Sequence, residues 1–213
     1  MPSIETIMAV ATAGFVLSAS PGPSMLYVLS RSVGQSRVAG LASALGLGLG
    51  GILLAIIAAF GLAVIFRQSE LIYRVVTVAG AIYVIYLGTQ ILYEARQKGN
   101  AKYAELETVK HQKIVRIIYQ GVLVEALNPK TILFFMAFIP PFVDSTRGDV
   151  IAQMLILGVL VPLTAVPADL IVAFAGGSMA EWIRRNTTGA SILNWAGGVV
   201  LIGIGISFFV LRL

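Results

Sequence analysis

Two prolines and a glycine, in Ser20-Pro21-Gly22-Pro23, interrupt a run from Thr6 to Ser30 that carries no charged side chain. The run is long and apolar enough to cross a bilayer. Pro21 and Pro23 have no N–H, so in an unbroken helix the carbonyls of Leu17 and Ala19 would lose their partners. An unpaired backbone group in hydrocarbon costs several kcal/mol, so a helix can break there only where protein or a water-filled cavity covers the break. The interruption marks an interior surface.

Asn128-Pro129-Lys130 interrupts a second apolar run, 108 residues after Ser20-Pro21. Ser20 and Asn128 suit an N-cap, and Pro21 and Pro129 suit a first helical position, so each pair predicts a helix starting afresh within the bilayer. Two restarts in matching places of two halves point to a transporter binding site.

The rest of the composition agrees with a polytopic membrane protein: 58% hydrophobic, 12% charged, mean hydropathy +0.91. The formal charge of +5 lies between the apolar runs without interleaved aromatics, which favours the membrane surface over nucleic acid. The absence of cysteine excludes disulfides, thiolate chemistry and Cys-based metal sites. The start, Met1-Pro2-Ser3-Ile4-Glu5, lacks a basic signal-peptide region, so the first run reads as a retained helix.

Six segments are long enough to span, at about 7–29, 38–66, 75–93, 117–142, 150–178 and 192–211. The second contains Gly46 and Gly50 at a spacing that lets helix backbones approach closely. Gly46-Leu47-Gly48-Leu49-Gly50-Gly51 also fits a dinucleotide-binding pattern, with Glu70 where a ribose acid would sit. That pattern needs a strand and a βαβ unit, for which an apolar helix leaves no room. Residues 94–116 form a polar connection with six Lys/Arg and three acids, too short for a core of its own.

With the N-terminus outside, the connections after spans one, three and five carry ten Lys/Arg, including Arg31 and Arg37, against four on the other side, which places both termini outside the cell. Ala79-Gly80 with Gly88 is echoed by Ala196-Gly197 with Gly205 at an offset of 117. Three spans per half is an odd number, so the second half enters the membrane inverted. The expected fold is an all-α membrane protein. Six transmembrane helices form two inverted-topology three-helix repeats with proline-broken first helices, in one domain: repeat one at about 1–93, the connection at about 94–116, repeat two at about 117–213.

Charges inside the spans are few, and each is a functional candidate because burying it is costly. Glu125 lies one turn before Pro129 and is either a proton carrier or cradle for an ammonium group, or a structural partner of Lys130 or a buried neutral acid. Lys130 opposes the positive end of the restarted helix, so it pairs with a bound carboxylate or with Glu125, or else snorkels to an interface. Asp169 follows Pro162 and Pro167 in the fifth span; it is a second proton-coupling candidate, or it caps a helix restarted at Pro167 or sits near the membrane surface. Tyr83 and Tyr86 share a face and either line the cavity or pack between helices. His111 reads as solvated, Trp182 and Trp195 as interface anchors, and Pro140-Pro141 as a helix end.

Ser20-Pro21-Gly22-Pro23, the segment from Gly40 to Gly51, Ala79-Gly80-Ala81-Ile82-Tyr83 through Leu87-Gly88, and Leu127-Asn128-Pro129-Lys130-Thr131-Ile132-Leu133-Phe134-Phe135 resemble the lysine exporter family, which includes homoserine and threonine exporters. The resemblance implies a six-span inner-membrane exporter of amino acids driven by the proton gradient. The family often has Asp or Asn where this chain has Ser24, and Asn where it has Glu125. The expected substrate site comprises Ser20, Pro21, Gly22, Pro23, Ser24, Tyr83, Asn128, Pro129 and Lys130, with Glu125 and Asp169 for proton coupling. Partners are the amino acid, protons and the lipid bilayer, and glycine-rich faces allow a homodimer; no cofactor, metal or nucleic acid is expected. Competing readings are an inorganic-cation exporter, for which two intramembrane acids and one loop histidine offer few ligands, and an integral-membrane enzyme or scaffold.

Overall fold

α1 (Ile4–Ala19) and α2 (Pro23–Gly34) are one apolar stretch bent by 53° at the first proline break, and α5 (Ile114–Ala126) runs into α6 (Pro129–Phe138) with a bend of 50° at the second. Between them lie α3 (Arg37–Gln68) and α4 (Glu70–Arg96). After α6 a 3-10 turn at Pro140–Phe142 ends the helix at the paired prolines, and α7 (Val150–Arg185) follows. This computed structural model describes residues 1–19, 22–68, 70–96, 110–144, 146, 148–185, 195–196 and 198–206, the last of these being helical. No strand occurs among the described residues.

Local chemistry fixes where the helices begin. Ser3 Oγ accepts from the N–H of Thr6, Ser36 Oγ from that of Ala39, and Asp149 Oδ1 from that of Ile151, each an N-cap bond that satisfies an otherwise unpaired donor. Asn128 caps α6 in the expected way, with Pro129 opening the helix. At the first break the restart comes two residues later than expected. Gly22 is the N-cap, in an extended conformation without a capping side chain, and Pro23 rather than Pro21 is the first helical residue. Ser20 and Pro21 lie outside the described residues.

α7 departs from expectation in another way. It continues as one helix of 36 residues through both Pro162 and Pro167, so Asp169 is not an N-cap. α3 (32 residues) and α7 each contain a span-length apolar stretch, Arg37–Leu62 and Val150–Gly176, and the two bent pairs bring the candidate spans to four among the described residues. The described apolar part of α4, Ala81–Tyr93, is shorter.

α3 lies in the middle and touches α2, α4, α5, α6 and α7, while α1 packs on α7. Its glycines make this possible. A Cβ at Gly46 would collide with the carbonyl of Ile118, and one at Gly50 would lie 2.6 Å from the carbonyl of Val122. α5 answers with Gly121, whose Cβ would meet the carbonyl of Ser43 at 2.9 Å. Lipid tails are as apolar as the side chains, so such backbone-to-backbone approach, rather than apolar burial, drives helix association here.

A Gly46→Leu substitution will therefore push α3 from α5 and destabilise the protein by about 1–3 kcal/mol. Gly61→Ala, where an added Cβ meets nothing within 4 Å, will be neutral or stabilising. Thermal melts of the two purified variants in detergent provide the check.

Candidate functional site

The two breaks meet. Asn128 Oδ1 accepts the main-chain N–H of Lys130 at 3.0 Å, and its Nδ2 donates to Ser24 Oγ at 3.0 Å, which joins the second break to the first turn of α2. Ser24 in turn donates to Oε2 of Glu125, and Thr131 Oγ1 donates to Oε1 at 2.8 Å. Glu125, at the end of α5, is thus held by one hydroxyl from each restarted helix.

Lys130 reaches back across the same junction. Its Nζ donates to the carbonyl of Leu17 at 3.0 Å, the carbonyl that Pro21 would leave without an i+4 partner in a continuous helix. The cation stands at the C-terminal, negative end of α1, which offsets its awkward place in the first turn of α6. This main-chain partner was not among those expected for Lys130.

Around this junction is a cavity of about 60 Å³. Gly22, Ser24, Asn128, Lys130, Glu125 and Asp169 all line it, so the structure gathers most of the sequence candidates in one place. Apolar side chains from α1, α2, α3, α6 and α7 complete the wall, among them Leu17, Met25, Leu47, Phe135 and Val161. Gly51 also contributes: a Cβ there would lie 2.8 Å from Cβ of Pro162, so the glycine lets the proline-bearing part of α7 close against α3. At a few waters' worth of space, the cavity is far below the ~300–1,000 Å³ of a small-molecule pocket.

Tyr83 does not line the cavity. It packs against the apolar core, with its ring 6.2 Å from that of Tyr86, which is the packing alternative. Pro23 opens α2 but is exposed and outside the lining, and Pro129 opens α6. His111 is exposed, as expected of a solvated residue.

Two unlike closures flank the cavity. Toward the end where α2 meets α3, residues 24, 27 and 31 of α2, with Gln35 just beyond its end, form a polar stripe against α5 and the residues that precede it. Tyr27 Oη donates to the carbonyl of Ile117 at 2.8 Å, Arg31 Nη2 to Gln120 Oε1 at 3.0 Å and Nη1 to the carbonyl of Lys110 at 3.1 Å. Gln35 and the main chain of Gln112 exchange two further bonds. Toward the opposite end the seal is aromatic: Phe134, Phe138 and Phe142 are buried, the first pair stacked with centroids 4.3 Å apart and the second tilted with centroids 4.8 Å apart.

Arg31, counted from sequence as a loop charge, is only 7% exposed and lies over the ring of Tyr27. Its removal from the count leaves the charge bias between the two sides with the same sign. Sequence reasoning missed it and Thr131. The signal for Arg31 was its place one heptad after Ser24 on the same helix face; Thr131 sits in the first turn after the Asn-Pro break, where a hydroxyl can face the restart.

Arg31→Ala will take the guanidinium donors from the Lys110 carbonyl and from Gln120 Oε1, which keeps only the longer contact with Tyr27 Oη at 3.4 Å, and will cost about 1–3 kcal/mol. Arg31→Lys will not restore the melting temperature, because one ammonium cannot reach both acceptors as the guanidinium fork does. Thermal unfolding of the two variants measures this.

Comparison with known proteins places this geometry in a family. An uncharacterized membrane protein of Pseudomonas aeruginosa is 28% identical over 186 residues, 87% of this chain and 86% of that protein. The leucine efflux proteins of Salmonella typhimurium and Salmonella typhi are each 28% identical over 184 residues, 86% of this chain and 84% of theirs. No solved structure gives a significant match. Residues 15–212 match the family described as LysE type translocator. With that match over nearly its whole length and its long apolar helices, this chain is a multi-pass membrane transport protein of the LysE translocator family.

Proposed function

We propose that the protein exports an amino acid with an apolar side chain, exchanging it for protons by alternating access at the cavity where the two helix breaks meet. The observation that carries the reading is the joining of Ser24, Glu125, Asn128 and Lys130 from two separate breaks beside one cavity. The substrate carboxylate would face Lys130 and the first turn of α2, whose N-cap Gly22 offers no side-chain oxygen to its N–H groups. The ammonium group would face Glu125 and Asp169, and the apolar wall of Met25, Leu47, Phe135 and Val161 would take the side chain. The names of the Salmonella relatives, leucine efflux proteins, support that choice of side chain.

Alternating access draws support from the paired seals. The cavity is too small for an amino acid as it stands, so loading requires one closure to part while the other holds. The inverted-repeat reading, with six spans in one domain, is supported by contacts that exchange at an offset of 117. A Cβ at Gly88 would meet Ile202 and the carbonyl of Gly198; one at Gly205 would meet Ile85 and the carbonyl of Ala81. Each contact maps onto the other when the two helices are swapped. Within this reading the polar seal faces the cytoplasm of an inner-membrane protein, the aromatic seal faces outward, and both termini lie outside.

Two experiments check these points. In cells fed a leucine-containing dipeptide, the wild-type protein will lower intracellular leucine, and Lys130→Gln will slow efflux by about tenfold or more; unchanged pools of every amino acid would overturn the export reading. The chain has no native cysteine, so single cysteines report sidedness cleanly. Thr146→Cys, at an exposed position, will react with an impermeant thiol reagent on intact cells, whereas exposed Ser36→Cys will react only after the membrane is opened.

A further inference from the structure

Glu125 and Asp169 line the same cavity but are bonded differently, and the direction of the bond that reaches Glu125 from Ser24 follows from chemistry. The main-chain N–H of Lys130 can only donate, which assigns Oδ1 of Asn128 as its acceptor and turns Nδ2 toward Ser24. Ser24 Oγ accepts from Nδ2, so its one hydrogen goes to Oε2 of Glu125. Thr131 supplies a hydrogen to Oε1. Both oxygens of the Glu125 carboxylate accept, and Oε2 stands at the end of a chain that starts from a donor unable to reverse. A proton placed on Glu125 would turn one of these hydroxyls from donor to acceptor, and so re-order the bonds that join the two breaks. Asp169, on α7, accepts no hydrogen bond among the described residues.

We propose that the two acids divide the work: Asp169 takes up and releases the exchanged proton, while Glu125 is a fixed acceptor that ties the two restarted helices together and seats the substrate's ammonium group. The assignment rests on the exporter reading above. The charged side chains that face Asp169 across the cavity are Glu125 from α5 and Lys130 from α6; the lining residues of α1, α2 and α3 are uncharged. In one cycle the Asp169 carboxylate binds a proton from the outside, becoming a neutral acid as the amino acid leaves. It gives that proton to the cytoplasm when the next ammonium group enters, so one proton moves in against each substrate that moves out. Protonation at Asp169 changes the charge of the cavity without breaking a bond that holds the helices.

The test uses the purified full-length protein in liposomes with radiolabelled L-leucine. Leucine-against-leucine exchange without a gradient is compared with accumulation driven by an imposed pH gradient. Asp169→Asn is expected to lose gradient-driven accumulation by about tenfold or more, and the exchange it retains becomes independent of pH. Asp169→Ala, which removes no hydrogen bond, is expected to do the same and guards against a folding defect of the first variant. Glu125→Gln is expected to raise the KM for leucine and lower the melting temperature while its exchange keeps the wild-type pH dependence. The assignment is overturned if Glu125→Gln is the variant whose exchange ignores pH, or if both Asp169 variants still accumulate leucine on a gradient. Failure of the wild type to move leucine or any other amino acid overturns the export reading itself, and the assignment with it.

Discussion

A backbone carbonyl or N–H left without a partner in hydrocarbon has nowhere to turn, and that constraint shapes this molecule. Two helices are broken by proline in the middle of apolar stretches, and each break finds its partners at the other. Lys130 of the second break caps the carbonyl of Leu17 at the first. Ser24 of the first accepts from the side chain of Asn128, the N-cap of the second. The Leu17 carbonyl finds a donor at the second break and the side-chain amide of Asn128 finds an acceptor at the first, so the two lie together, and the polar groups at their junction leave a small charged cavity between apolar helices.

The glycines of α3 and α5 serve the same arrangement from further out. Because Gly46, Gly50 and Gly121 let the two backbones nearly touch, α5 delivers Glu125 to the junction against the flank of α3. Gly51 does likewise for α7, admitting Pro162 and bringing Asp169 to the cavity. The closures on either side differ in kind. Hydrogen bonds along α2 and α5 are directional and can be exchanged for water, whereas the buried cluster of Phe134, Phe138 and Phe142 offers water no partner.

Much of this was legible in the residues. The proline breaks, the cost of burying Glu125, Lys130 and Asp169, and the close-packing glycines follow from local chemistry, and the structure gathers those three charges at one cavity. What local chemistry hid was pairing at a distance. The sequence reading joined Lys130 to an acid or a substrate because a lone lysine in a span calls for an anion, yet a freed carbonyl over a hundred residues away also suits it. Arg31 passed for a loop charge because nothing nearby announces that Gln120 and the Lys110 carbonyl will enclose it. Tyr83 pointed toward the site only by being aromatic and amphipathic, properties that packing uses as readily. The prolines of α7 look like those of the breaks, but a long helix supported by α1, α2 and α3 carries both without ending.

The central claim is that the junction of the breaks is where the transported molecule sits. Gly48 offers the most direct measurement, since it lines the cavity and a Cβ added there meets nothing within 4 Å. In the native cysteine-free background, Gly48→Cys places one thiol in the cavity, and the rate of its modification by a small thiol reagent can be followed with and without amino acid. The account predicts that L-leucine slows the reaction in a saturable way while a non-transported solute of similar size leaves it unchanged. A labelling rate indifferent to every amino acid, in a variant that still exports, would contradict it.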